Sequence, residues 1–201
     1  MSAPVARWLT ELDEATFAQA HRVVTAVVDL GGAVGWLSTP PPEETRRWLT
    51  DFLRHVRLGR AGLALIEVDG RVEALGGWRA NPPGPQGHVA ELVKVMAHPD
   101  ARGLGLGRLL VHTLLEGARA FGAETAVLGV RGNNHGAQAL YEALGFRVWG
   151  VLPDGIAVGN ERFDDVRMHR RLHEPAGVER RGTRPGGIGG SVDRRAGGSR
   201  K

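Results

Sequence analysis

Residues 91–108 hold the densest grouping of chemically useful side chains in the chain. An apolar run, Glu91-Leu92-Val93-Lys94-Val95-Met96-Ala97, stops at His98-Pro99-Asp100. It passes into Arg102-Gly103-Leu104-Gly105-Leu106-Gly107-Arg108, after which apolar residues recur at helical spacing. Three glycines in five residues let a backbone approach a ligand without Cβ obstruction. A helix that opens there presents unpaired N–H groups and the positive end of its dipole, which suits an anion. A P-loop would end in Gly-Lys-Ser/Thr, whereas Gly107 is followed by Arg108-Leu109; a dinucleotide fingerprint would need glycine at 108 or 110, which are Arg and Leu. The frame that fits is Arg-x-x-Gly-x-Gly, carried by Arg102, Gly105 and Gly107. A turn that only packs a helix onto a strand is the plain alternative.

Other candidates lie on either side. Tyr141 is the only tyrosine; a phenol with a pKa of about 10 stays protonated at neutral pH and can donate, although a lone helix tyrosine also packs well in a core. Glu91 offers a carboxylate on a strand, able to take a proton directly or through water, or simply to form a salt bridge. Lys94 is the one lysine outside the last 28 residues. It alternates oppositely to Glu91, so unless a bulge resets the faces it points elsewhere, into a structural or substrate-orienting ion pair. Asn134 is placed to cap a helix. With no cysteine, no disulfide, zinc-thiolate site or thiol nucleophile can form. The eight histidines show no metal-ligand spacing, so no metal is expected.

The elements that must position these residues follow from periodicity and punctuation. A strand is expected over 5–11. A helix follows over 13–30, with Phe17, Ala20, Val24, Val27 and Val28 on its apolar side and Gly31-Gly32 ending it. Prolines 40–42 with Glu43 and Glu44 open a second helix that buries Trp48, Leu49, Phe52, Leu53 and Val56. The linking segment 31–38, GGAVGWLS, reads equally as a pocket lining and as a packed turn. Strands over 63–68 and 71–79 are joined by Asp69-Gly70, a hairpin turn. Next come a strand over 89–97, a helix over 106–121, a strand over 125–130, a helix carrying Ala137, Leu140, Tyr141 and Leu144 and stopped by Gly145, and strands over 146–152 and 163–171. The order βααβββαβαββ predicts an α/β protein with a mixed sheet and helices on both faces.

At 201 residues the chain is long enough for one domain with an appendage. The net charge of +4 comes from the end: residues 174–201 carry seven of the 26 basic and three of the 22 acidic residues, leaving nineteen of each in the remainder. Residues 1–172 are therefore expected to form the domain and 173–201 a disordered Gly/Arg-rich tail, with at most weak contacts to RNA and no specific nucleic-acid partner. No apolar stretch approaches the ~20 residues of a membrane helix, so a cytoplasmic protein without membrane contact is expected.

A second motif, Asn134-x-x-Ala137-x-x-Leu140-Tyr141-x-x-Leu144-Gly145-Phe146, joins the Arg102 turn. Together they resemble the two signatures of the GNAT N-acetyltransferase superfamily. GGAVGWLS, Glu91 to Met96 and Val148-Trp149-Gly150-x-Leu152-Pro153 are further similar to the tabtoxin-resistance acetyltransferases. The resemblance implies the GNAT fold, with a mostly antiparallel sheet, and acetyl-CoA as the donor for direct attack by an amine in a ternary complex. It implies that Arg102, Gly103, Leu104, Gly105, Leu106, Gly107 and Arg108 grip the pyrophosphate, and that Met96, Ala97 and His98 pair with the pantetheine arm. An N–H near Met96 would polarise the carbonyl, Asn134 would contact the arm, Tyr141 would protonate the leaving thiolate, and Glu91 would serve the attacking amine. Where the tabtoxin-resistance enzymes have an aspartate in the strand before the tyrosine helix, this chain has Val130, which leaves the second polar catalytic group open. The acceptor expected is a small-molecule amine, of the kind acetylated in antibiotic resistance. A protein N-terminus or lysine, and a non-catalytic acyl-CoA sensor, are the alternatives, with a monomer or homodimer equally admissible.

Overall fold

The computed structural model of the chain describes residues 2–32 and 34–173; apart from His173, the expected tail lies outside them. The elements run β1 (Val5–Trp8), α1 (Glu14–Asp29), α2 (Pro42–Arg57), β2 (Ala61–Val68), β3 (Arg71–Ala80), β4 (Val89–Ala97), a 3-10 turn (Pro99–Ala101), α3 (Leu106–Phe121), β5 (Thr125–Arg131), α4 (His135–Ala143), β6 (Arg147–Val158) and β7 (Glu161–Arg171). This is the expected order. The seven strands form one sheet, β1-β2-β3-β4-β5-β7-β6, in which β4 and β5 pair in parallel and the other neighbours are antiparallel.

Local chemistry accounts for the element ends. The Asp13 carboxylate accepts from the Thr16 N–H at 2.6 Å and caps α1, and its hydrogen bonds hold its carboxyl below the usual range. Pro42 stands in the first turn of α2, where a missing N–H is harmless. Asp69 and Gly70 both take positive φ, as a two-residue hairpin turn between β2 and β3 requires. Along β2 the side chains alternate between two cores. Leu63 and Leu65 pack with Val23, Val24 and Leu49 of α1 and α2, and Ala64 and Ile66 pack with Leu110 and Leu114 of α3. A strand buried on both faces reads as a continuous apolar run, which is why AGLALIEV shows no polar alternation.

Two boundaries differ from expectation by three residues or more. Strand β1 ends at Trp8, because the chain must turn to present the Asp13 cap. Strand β6 continues past residue 152 to Val158. It lies at the sheet edge, where the N–H that Pro153 lacks has no partner to miss, and a register irregularity between Leu152 and Ile156 absorbs Pro153-Asp154-Gly155.

Leu114 is fully buried between α3 and the sheet. Leu114→Ala is expected to lower unfolding stability by about 3 kcal/mol through lost transfer energy and a residual cavity. Denaturant titration checks this: the midpoint falls while the slope stays constant.

Candidate active site

The glycine turn uses its glycines for two different reasons. Gly103 and Gly105 have φ of +82° and +72°, and a Cβ at either would meet nothing within 4 Å, so backbone conformation is what selects glycine there. Gly107 is inside α3, where a Cβ would approach Leu140 of α4 to 3.1 Å. Its smallness lets the two helices close together. Among the described residues no backbone carbonyl accepts from the N–H groups of residues 103–108. Arg102 and Arg108 are exposed, and among the described residues their guanidiniums make no hydrogen bond or ion pair. Six unspent donors at a helix mouth flanked by two unpaired guanidiniums fit a pyrophosphate.

Beside this turn β4 and β5 separate. Their pairing comprises Val89 with Thr125, Ala90 with Ala126 and Glu91 with Val127; from Leu92 onward the β5-facing edge of β4 is open. Here β4 bulges. Gly77 opposes Val93 and Leu75 opposes Met96, so Lys94 and Val95 face a single residue, and Lys94 takes φ +53°. The cleft opens into a cavity of about 530 Å3, whose walls include Glu91, Lys94, Met96, Ala97, Arg102, Asn134 and Tyr141. Of the expected site residues, Glu91, Met96, Ala97, Arg102, Asn134 and Tyr141 line this cavity, while residues 103–108 stand outside its walls, and so does His98. Its N–H donates to the Glu73 carbonyl at 2.7 Å, its carbonyl accepts from Ala101, and its ring Nδ1 accepts from the Asp100 N–H. Its polar groups shape the 3-10 turn, which leaves Met96 and Ala97 as the open edge.

Tyr141 sits on α4 with its ring edge-on to Phe146 at 5.7 Å and only 7% of its surface exposed. Burial pushes the phenol up to about 12, so it stays a neutral donor. Asn134 caps α4, its side-chain oxygen accepting from the Ala137 N–H at 3.2 Å, and also lines the cavity. Glu91 is paired: the Nε and Nη2 of Arg79, directly across on β3, both donate to its Oε2, at 3.0 and 2.7 Å. Its Oε1 is left for an ammonium or a water.

Lys94 departs from the plain alternation that would point it away from Glu91. The bulge resets the alternation and puts it on the Glu91 side, with no carboxylate bonded to it. Its Nζ donates to the Val34 carbonyl at 2.5 Å and lies 3.4 Å from the centroid of the Trp36 ring, with Trp48 next at 5.7 Å. Burial lowers its pKa to about 8, partly opposed by the Glu44 carboxylate, which accepts from Trp36 Nε1 at 2.8 Å. Segment 31–38 therefore does line the cavity, through Gly31, Gly32, Val34 and Gly35.

Sequence reasoning missed Asp165 and Arg167. They are on β7, and Arg167 donates to the aspartate from Nε and Nη2 at 2.9 and 2.8 Å. Their pairing with Arg131 and Gly129 on β5 puts all four on the cavity side of the sheet. The signal was the alternation Asp165-x-Arg167-x-His169 in the last strand, which marks a polar face but not what that face covers. Among the described residues no group of three His, Asp or Glu side chains is arranged to hold a metal.

The Lys94 shift predicts a pH dependence of stability. Between pH 8 and 10.5 the unfolded chain binds the proton that the folded lysine has lost, so stability rises with pH there; below pH 8 the penalty of the buried charge is fully present. The difference in unfolding midpoint between wild type and Lys94→Met should move in favour of wild type from pH 8 to pH 10. Tyr141 acts in the opposite sense only above pH 10 and cancels in that difference.

The model of the acetyltransferase (GNAT) family matches residues 8–146. The chain is 36% identical over 83 residues to the L-methionine sulfoximine/L-methionine sulfone acetyltransferase of Salmonella typhimurium, covering 41% of this chain and 48% of that one. It is 39% identical over 59 residues to the L-amino acid N-acyltransferase MnaT of Escherichia coli, covering 29% and 34%. It is 41% identical over 91 residues to the mycothiol acetyltransferase of Thermomonospora curvata, covering 45% and 29%. It thus spans less than half the length of these curated relatives. Among solved structures, an N-acetyltransferase of Staphylococcus aureus superposes with a TM-score of 0.74 at 18% identity, covering 86% of this chain and all of that one. The yncA acetyltransferase of Salmonella typhimurium, solved with acetyl-CoA, superposes with a TM-score of 0.73 at 24% identity, covering 89% and 99%. With the fold shared throughout and the match running from the end of β1 to the close of α4, the chain belongs to the GNAT acetyltransferase family.

Proposed function

We propose that the chain transfers the acetyl group of acetyl-CoA to the primary amine of a small, carboxylate-bearing molecule: an amino acid or an amino-acid-like antibiotic or toxin of the tabtoxin kind. The observation that carries this is the single cavity in which Glu91, Lys94, Met96 and Tyr141 meet beside a run of unspent N–H donors. Relatives named for L-amino acids and methionine sulfoximine support the acceptor class. The walls support it too, because about 530 Å3 is within the usual range for small-molecule sites.

Acetyl-CoA supplies an activated acyl carbon and a thiolate leaving group. The protein's part is positional and electrostatic. Residues 103–108 hold the pyrophosphate, the open edge at Met96 and Ala97 accepts the amide-bearing arm, and an N–H near Met96 faces the carbonyl oxygen as negative charge develops. Glu91 Oε1 receives the ammonium of the acceptor and passes its proton to water, and Lys94 pairs with the acceptor carboxylate. Tyr141 hydrogen-bonds the sulfur. With its pKa at about 12 and a thiol's at about 8.5, full transfer of the phenolic proton is uphill by roughly 5 kcal/mol, so donation to the developing charge is the main effect.

A thiol-release assay across amino acids, their carboxamides and peptides tests this. Amino acids should exceed their carboxamides at least tenfold in kcat/KM, and Lys94→Met should erase that preference. No turnover with any amine refutes the reading. Tyr141→Phe should lower kcat about 100-fold with KM little changed, in line with the loss of one acid or donor group; equal rates across pH would remove the tyrosine's role.

A further inference from the structure

Lys94 carries a primary amine inside the cavity that the proposed function assigns to the acetyl thioester. Its backbone is on β4, two residues before Met96, and the bulge turns it toward the acceptor side. The side chain is held by the Val34 carbonyl and the face of Trp36, and no carboxylate is hydrogen-bonded to it. The charged groups that share its surroundings are Glu44 of α2, Glu91 on its own strand, Arg102 of the glycine turn, Arg131 of β5, and Asp165 and Arg167 of β7. Both cavity carboxylates are engaged by arginines, Glu91 by Arg79 and Asp165 by Arg167.

We propose that Lys94 is a self-acetylation site: when no acceptor occupies the cavity, its Nζ takes the acetyl group from acetyl-CoA bound in the same chain. The new bond joins Nζ to the acetyl carbon, and the bond that breaks joins that carbon to sulfur. The ammonium proton has already gone to water, and a second proton from nitrogen follows as the amide forms, while the departing thiolate is hydrogen-bonded by Tyr141 and takes its proton from solvent. This rests on the acetyl-CoA reading of the cavity.

Two physical consequences favour it. At pH 7 an ordinary lysine is neutral in about 0.04% of molecules, whereas one whose pKa has fallen to about 8 is neutral in about 9%. The reactive form is enriched about 200-fold, before any advantage of proximity. The product is a neutral amide that ends the attraction to Trp36 and fills the acceptor end, so the modification closes the site to carboxylate-bearing acceptors. An acceptor carboxylate paired with Lys94 would instead favour the charged lysine and protect it.

The sequence makes the test clean, because the only other lysine is Lys201. The full chain is incubated with acetyl-CoA and no amine, then digested with trypsin. Acetylation blocks cleavage at Lys94, so the fragments 80–94 and 95–102 should be replaced by one spanning 80–102. Modification at Lys94 should outrun that at Lys201 and at the amino terminus by about 100-fold, slow in the presence of a carboxylate-bearing acceptor or excess CoA, and vanish in heat-unfolded protein. CoA binding is measured by calorimetry on the same sample. Binding with Lys94 modified no faster than Lys201 overturns this proposal alone; absence of binding overturns it together with the acetyl-CoA reading.

Discussion

Strands β4 and β5 stay hydrogen-bonded for three residue pairs and then part, and the site depends on that parting. Parallel strands normally continue to the ends of their shared ladder. Here the bulge at Lys94 and Val95 swings β4 away while the same strand remains paired with β3 on its other edge. An edge whose backbone groups have no strand partner can be completed by an extended, amide-bearing ligand. The helix that follows β4 is pinned to the sheet by Leu110 and Leu114, so its free N–H groups open at the mouth of the same gap. The open strand edge and the free N–H groups thus arise from one local departure from ladder pairing.

The same enclosure governs the ionisable groups. Removing water raises the cost of charge, and each wall group answers this differently. Glu91 and Asp165 each hold an arginine. Tyr141 avoids charge, and burial pushes its proton loss out of reach of neutral pH. Lys94 has only a carbonyl, an aromatic face and the more distant Glu44, a set that offsets part of its desolvation and leaves its pKa lowered to about 8. A neutral donor and a weakly held cation in one cavity suit a reaction in which negative charge develops on sulfur and an anionic acceptor must be oriented.

Much of this was legible in residue order. The hairpin at Asp69-Gly70, the Asn134 cap and the helix ending before Gly145 all express short-range rules, in which a residue satisfies a neighbour's backbone or adopts a backbone angle that others avoid. The bounds of β4 and α3 could be read for the same reason. The Arg102 turn and the Tyr141 helix were legible as a turn with free N–H groups and a helix carrying a lone phenol because such features are local to a helix end or face.

What escaped was long-range. Arg79 and Glu91 are partners because of strand register. Arg167 and Asp165 matter because β7 inserts between β5 and β6. Lys94 changed faces because one strand holds an extra residue opposite Gly76. The His98 N–H was spent on Glu73, a bond no pattern announces. The sequence by itself determined the order of the elements, the glycine turn at the mouth of α3 and the placement of Tyr141, since dihedral preference and helical periodicity act within a few residues. Only the tertiary structure decided which charges meet around the acceptor, because a bulge or a strand insertion costs little locally yet redirects every side chain beyond it.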